Sequence, residues 1–248
     1  MRSITSITKD LTQLFRQLGY LGSTRQILIK IAKKALFPRA QLSHSQFGED
    51  RVIANYFSNS EPGLYVDVGC NEPVNFSNTW QLYLRGWRGV VIDANPSLTQ
   101  KFETFRPSDI SVTAAVSNQE KEIEFYFSKN SHLISGIGEN DDQRWSRTNE
   151  NCDIVKLKTI RLGSILEKHN IPKDFDFLNI DTEGNERDVL EFLGLNAFRP
   201  KLICVEIHDL ILEELDSSAV FMFLKEHNYS LMAYIGPSAF FLANRTSS

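Results

Sequence analysis

The chain has 248 residues, 42% of them hydrophobic and 23% charged, with a net charge of −4 and a pI of about 5.8. That length suits one α/β domain with a full core, and the acidic balance argues against a nucleic-acid partner. Cys70, Cys152 and Cys204 are far apart and odd in number, so no disulfide framework is expected. No CxxC pair, no apolar run of 18 residues and no signal-peptide pattern is present, which together point to a reducing cytoplasm.

The first 40 residues differ from the rest. Eight basic side chains and one acid, Asp10, make them +7 and leave −11 for the remainder. Ile7, Leu11, Leu14, Phe15 and Leu18 recur at helical spacing, as do Ile27, Leu28 and Ile31. Residues 1–40 therefore read as an N-terminal helical extension, and 41–248 as the main domain. Two roles stay open for the extension. It packs on the domain, or it is a basic amphipathic hook for an anionic membrane or acidic partner.

Pro38 ends this segment, and SQFGEDRVIANYF starts a helix. Glu49 and Asp50 suit the positive end of its dipole.

Leu64 to Val68 is a short strand carrying Asp67, and Gly69 stops it. In a doubly wound α/β fold the ligand lies beyond the carboxyl end of such a strand. A dinucleotide needs G-x-G-x-x-G, so that the backbone approaches the phosphates. Here Gly69 is followed by Cys70, Asn71 and Val74, and the phosphate cradle is missing. S-adenosylmethionine (SAM) has no phosphate; it needs a turn glycine and carboxylates for its cation and ribose. WRGVVIDANP supplies the second carboxylate, Asp93, 24 positions after Gly69, near the spacing expected for a ribose-binding acid. Asp67 is expected on the methionine side and Asp93 on the ribose.

Ser97 to Phe105 reads as a helix with Leu98, Phe102 and Phe105 inward. ISVTAAVS is the third strand; Ala114 and Ala115 leave room near an adenine, and Val116 packs beside it. IEFYF is an additional strand. Ser128 to Asn151 is a long polar loop, of the kind that covers a binding pocket. IVKLKTI is again a strand, and LGSILEKHN a helix.

Phe175 to Ile180 is a strand apolar enough to be buried on both faces. It delivers Asp181 and Glu183 to the same edge as Asp67 and Asp93. KLICVEIH is another buried strand, and Glu206 and His208 share one of its faces. Asp181, Glu183, Glu206 and His208 thus converge on one rim. A base there would deprotonate an acceptor hydroxyl. An Asp/Glu/His group is equally the donor set for a divalent cation that lowers the hydroxyl's pKa. Ser217 to His227 is a helix, and YSLMAYI and AFFLAN form a hairpin around Gly236–Pro237.

Five blocks in order, SQFGED, DVGCNEPVNFSNT, YLRGWRGVVIDANP, TAAVS and FLNIDTEGNE, resemble the FkbM family of SAM-dependent methyltransferases. The resemblance covers roughly Ser43 to His208, and it would allow Gln46 and Glu49 to approach the SAM crevice, as an alternative to a purely helix-stabilising role for Glu49. Many relatives carry Ala where this chain has Cys70. The resemblance implies a class I, Rossmann-like fold: a seven-stranded, mostly parallel sheet with helices on both faces. It also implies O-methylation of a hydroxyl on a sugar, glycan or polyketide-like acceptor. Asp67, Gly69, Cys70, Asn71, Asp93, Ala115 and Asp181 are the expected SAM-binding residues, and Asp181, Glu183 and His208 the catalytic candidates. A divalent cation is left open. The competing reading is a non-catalytic SAM- or nucleotide-binding docking or regulatory module.

Overall fold

A computed structural model describes residues 41–117, 120–128, 135–137, 152–208 and 210–244. The N-terminal extension and nearly all of the 128–151 loop lie outside these residues. In chain order the elements are α1 (Glu49–Tyr56), β1 (Leu64–Val68), α2 (Trp80–Leu84), β2 (Arg88–Asp93) and α3 (Pro96–Phe105). Next come β3 (Ile110–Thr113), β4 (Ala115–Val116), β5 (Glu122–Ser128), β6 (Ser135–Ile137) and β7 (Cys152–Ile160). The chain continues through α4 (Leu162–Lys168), β8 (Phe177–Ile180), α5 (Glu186–Leu193) and β9 (Leu202–Glu206). It closes with a 3-10 turn (Leu212–Ser217), α6 (Ala219–Glu226), β10 (Tyr229–Ile235) and β11 (Ser238–Ala243).

Seven strands form the main sheet, in the order β10-β11-β9-β8-β1-β2-β3. β11 runs antiparallel to both β9 and β10, and the pairs among β9, β8, β1, β2 and β3 are parallel. The expected seven-stranded, mostly parallel sheet is therefore present. Side-chain alternation sorts its residues onto two cores. Val66, Val68, Val90, Ile92, Leu178 and Ile180 face α4, α5 and α6. Tyr65, Val91, Phe177, Cys204 and Phe240 face α1, α2 and α3 through Ile53, Leu82 and Phe102.

Three expectations change. ISVTAAVS is two strands: β3 belongs to the main sheet, while Ala115 and Val116 leave it to pair with β7. β4, β7, β5 and β6 make a second, four-stranded sheet that the sequence did not suggest. Phe105, read as inward, is 48% exposed, because Phe102 and Leu98 already fill the contact beneath α3.

One polar cluster fixes the loop after β1 from below. Arg106 is fully buried just past α3. It donates from Nε to Asp109 at 2.7 Å, from Nη2 to the Tyr65 hydroxyl at 2.6 Å and from Nη1 to Thr79 Oγ1 at 3.0 Å. Asp109 also accepts from the Gly89 amide at 3.0 Å and from Tyr65. Burial alone works against the guanidinium charge; Tyr65, Asp109 and Asp67 outweigh it and hold the pKa of Arg106 above its ordinary value. Removing one partner of a buried ion pair typically costs about 3–5 kcal/mol. Arg106→Met should lose about that much in urea denaturation; a loss under about 1 kcal/mol would show that the cluster is not structural.

Candidate active site

The carboxyl ends of β1, β2, β8 and β9 open into one cavity. Its wall includes Asp67, Gly69, Cys70, Asn71, Asp93, Ala114, Ala115, Asp181, Glu183, Glu206 and His208. Every residue expected at the cofactor or at the catalytic rim is thus brought to the same place.

Gly69 makes this possible. Its φ is +74°, and a Cβ there would lie 1.6 Å from the Asp181 carbonyl oxygen. Its amide donates to Ile92 O at 2.9 Å, while the Asp181 amide donates to Val68 O at 2.9 Å. The ends of β1, β2 and β8 are tied together in this way. Only a residue without Cβ fits the approach.

Asp67 is buried, and both of its oxygens are engaged. Thr79 Oγ1 donates to one at 2.6 Å and Asn179 Nδ2 to the other at 2.9 Å. Burial raises its pKa, against the pull of Thr79, Arg106 and Asn179. Asn78 in turn donates to Asn179 at 2.9 Å. Thr79, Asn179 and Arg106 escaped the sequence reading, since an isolated Thr, Asn or Arg carries no pattern that marks it as buried.

Asp93 closes β2 and accepts from the amides of Asn71, at 3.0 Å, and Asn95, at 2.8 Å. Desolvation pushes its carboxyl up to about 6 despite these two donors. Asn71 adopts φ +49°, and its Oδ1 is shielded from solvent with no hydrogen-bond donor among the described residues. Cys70 is buried, and burial pushes its thiol well above the usual range.

Gln46 reaches the cavity wall, whereas Glu49 does not. Glu49 instead accepts from the Phe47 amide at 2.8 Å and from Ser238 Oγ at 3.2 Å. The second sheet contributes Phe125 and Phe127, whose ring centroids lie 5.1 Å apart, to the cavity wall. Their part was hidden because β5 pairs with β6, which lies inside the stretch read as a loop, and with β7 farther downstream.

The rim opposite Asp93 is acidic. Asp181 and Glu206 are in hydrogen-bond contact, an arrangement that needs a proton between the two carboxyls. Desolvation, then Glu206, hold the Asp181 pKa well above its ordinary value. His208 is exposed, with Nε2 3.4 Å from Glu206 Oε2. Glu183 sits at φ +56° in a turn held by Glu186, which accepts from the amides of Thr182 at 3.0 Å and Gly184 at 2.9 Å. Glu186 is the first residue of α5, at the positive end of the helix dipole, and it also shapes the turn that carries Glu183.

A family model described as the methyltransferase FkbM domain matches residues 67–231, well over half the chain. The chain belongs to the FkbM methyltransferase family. Its main sheet is that of the class I SAM-dependent methyltransferases, with Asp93 and the Asp181 rim at its carboxyl edge. No curated protein matches. Solved structures of similar outline include an FkbM methyltransferase from Methylobacillus flagellatus KT, with 10% identity, a TM-score of 0.46, and coverage of 96% of this chain and 59% of that one. An O-methyltransferase from Bacillus cereus in complex with SAH shares 13% identity at a TM-score of 0.43, covering 94% and 96%. A TehB-like SAM-dependent methyltransferase from Corynebacterium glutamicum shares 10% at 0.43, covering 91% and 100%.

Gly69→Ala tests the geometry of the site. Overpacking plus a left-handed backbone should cost at least about 2 kcal/mol. A thermal scan showing unchanged stability would mean that β1 and β8 do not meet as described.

Proposed function

We propose that this chain transfers the methyl group of SAM to a hydroxyl oxygen of a sugar, glycan or polyketide-like acceptor. The observation that carries the reading is a single cavity with two chemically different ends. One end has Asp93 beside the small residues Ala114 and Ala115; the other has the Asp181, Glu183, Glu206 and His208 rim.

The residues present fit SAM. No phosphate cradle is needed, and Asp93 can accept from the ribose hydroxyls. The shielded Asn71 Oδ1 is an acceptor open to a donor from the ligand. Asp67 fits less directly: its oxygens are held by Thr79 and Asn179 and it is 1% exposed, whereas Asp93 is half-buried and each of its oxygens keeps a lone pair beside its one amide donor. When bound, SAM supplies a methyl group on a positively charged sulfur.

The chain's own residues then orient the acceptor and manage its proton. An alcohol is a poor nucleophile until its proton is being removed. Asp181, Glu183 and His208 surround the position where such a hydroxyl would stand, and the carboxylates can accept its hydrogen bond. Ala115, Val116, Phe125 and Phe127 wall the cavity and exclude water on the opposite side. A cytoplasmic setting belongs to the same proposal, in keeping with Cys70 and Cys204, which are free and buried. Among the described residues no helix is long and apolar enough to cross a membrane. Anionic lipid as a partner of the basic first 40 residues remains a proposal on charge alone.

Two measurements test this. Asp93 must be ionised to accept from both ribose hydroxyls, and its carboxyl titrates at about 6. SAM affinity should therefore weaken as pH falls through about 6, and Asp93→Asn should bind about ten- to hundredfold more weakly with no such pH dependence. Wild-type affinity that is flat from pH 5 to 8 would remove Asp93 from the ribose. Second, with labelled SAM and a panel of hydroxylated acceptors, His208→Ala and Asp181→Ala should each lower turnover at least about tenfold while SAM affinity falls less. Tight SAM binding with no transfer to any acceptor would favour the docking or regulatory module instead.

A further inference from the structure

Glu183, Glu206 and His208 each offer one ligand atom, and these atoms all lie within 4.8 Å of one another. They come from separate elements: Glu183 from the turn before α5, Glu206 from the end of β9, and His208 two residues beyond. A small ion placed between them would touch all three without a change of fold. Donors at the roughly 2.0–2.2 Å typical of carboxylate and imidazole ligands lie at most about 4.4 Å apart around one centre, so a few tenths of an ångström of side-chain adjustment brings these three onto one ion.

A second observation points to a ligand. Glu206 Oε2 has almost no solvent-accessible surface and, apart from the carboxyl-to-carboxyl contact of its side chain with Asp181, no hydrogen-bond donor among the described residues. Its side chain is only 13% exposed. The nearest positive candidate is the exposed His208 ring at 3.4 Å, which is charged only when protonated. A buried carboxylate oxygen is normally paired or bound to a metal. No lysine or arginine is among the described residues that line this cavity, though Asp67, Asp93, Asp181, Glu183 and Glu206 all are. Arg106 offsets Asp67 from behind the wall, but it sits on the far side of Thr79 from the rim.

We propose that Glu183, Glu206 and His208 hold one divalent cation at the acceptor end of the cavity. The donor set narrows the choice of ion. Carboxylates alone suit magnesium or calcium, and imidazole suits the later transition metals. Two carboxylates with one imidazole favour Mn²⁺, which accepts both donor types, over Mg²⁺, which prefers oxygen and gives up water reluctantly. The described residues supply three protein ligands, which leaves coordination positions open, and the cavity is where they open.

The role of the ion rests on the methyl-transfer reading above. Coordinated to the acceptor hydroxyl, the ion lowers that group's pKa and positions it. The hydroxyl proton passes to water at the cavity mouth. An oxygen lone pair forms the O–CH₃ bond as the C–S bond of the sulfonium breaks. The electron pair stays on sulfur, and S-adenosylhomocysteine is the product. His208 is then a ligand through one ring nitrogen and is not the base.

Binding can be measured without either substrate. The full chain, freed of metal by a chelator and exchanged into clean buffer, is titrated with MnCl₂, and free Mn²⁺ is followed by its electron paramagnetic resonance signal. One Mn²⁺ per chain should bind, with Mg²⁺ competing at least about tenfold more weakly. His208→Ala, a change at an exposed side chain, and Glu206→Gln should each weaken Mn²⁺ binding at least about tenfold. Circular dichroism melting confirms that each variant is folded. Absence of stoichiometric Mn²⁺ binding to the wild-type chain, or binding unchanged in both folded variants, would overturn the site. The methyl-transfer reading fails separately: Mn²⁺ bound as described with no methyl transfer would sink that reading and leave the ion in place. Full methyl transfer in excess chelator, with no Mn²⁺ bound, would do the reverse.

Discussion

The approach of Gly69 to the Asp181 carbonyl governs the layout of this molecule. Parallel strands present their carboxyl ends together only if the chain can turn away from each end without collision. β1 lies between β2 and β8, and its exit is crowded by the Asp181 carbonyl that follows β8. Gly69 accepts the crowding at φ +74° and bonds back to Ile92. Asp181, bonded to Val68, is thereby held across from Cys70 and Asn71, and Asp93 is fixed by the Asn71 amide. The Asp93 end and the Asp181 end of the cavity are consequences of the same backbone contact.

Beneath that contact lies a polar foundation. Tyr65, Arg106, Asp109, Thr79, Asp67 and Asn179 form a continuous chain of hydrogen bonds with no exposed member. Such a network is costly if any part is left unsatisfied and rigid when complete. It converts Asp67 from a flexible side chain into a group of fixed orientation in the cavity wall. Its supports reach from β8, through Asn179, to the residue just after α3. The loop carrying Cys70 to Thr79 is therefore determined by groups on both sides of β1.

The strand ends were legible in the sequence because their signals are local. A run such as FLNID or VVID states its own strand and its own terminal carboxylate, and a parallel fold does the rest by lining the ends up. Asp67, Gly69, Asp93, Asp181, Glu183 and His208 were placed on one edge by that logic alone. The supports were not legible. Arg106 follows an amphipathic helix where an exposed cation is the ordinary expectation, and its burial depends on Tyr65 and Asp109, 41 and 3 positions away. The second sheet failed for a related reason. β4 is two residues long, and its partner β7 is more than forty residues downstream, so neither propensity nor periodicity announces the pairing. Phe125 and Phe127 thus entered the cavity wall unforeseen.

The central claim is that one cavity at this edge takes SAM at its Asp93 end and offers the acceptor the Asp181 to His208 rim. A crystal structure of the protein grown with S-adenosylhomocysteine tests it most directly. The account predicts the ribose against Asp93, the adenine beside Ala114 and Ala115, and the sulfur turned towards Asp181 and Glu206. Density for the ligand with its ribose away from Asp93, or its sulfur turned away from the acidic rim, would contradict it.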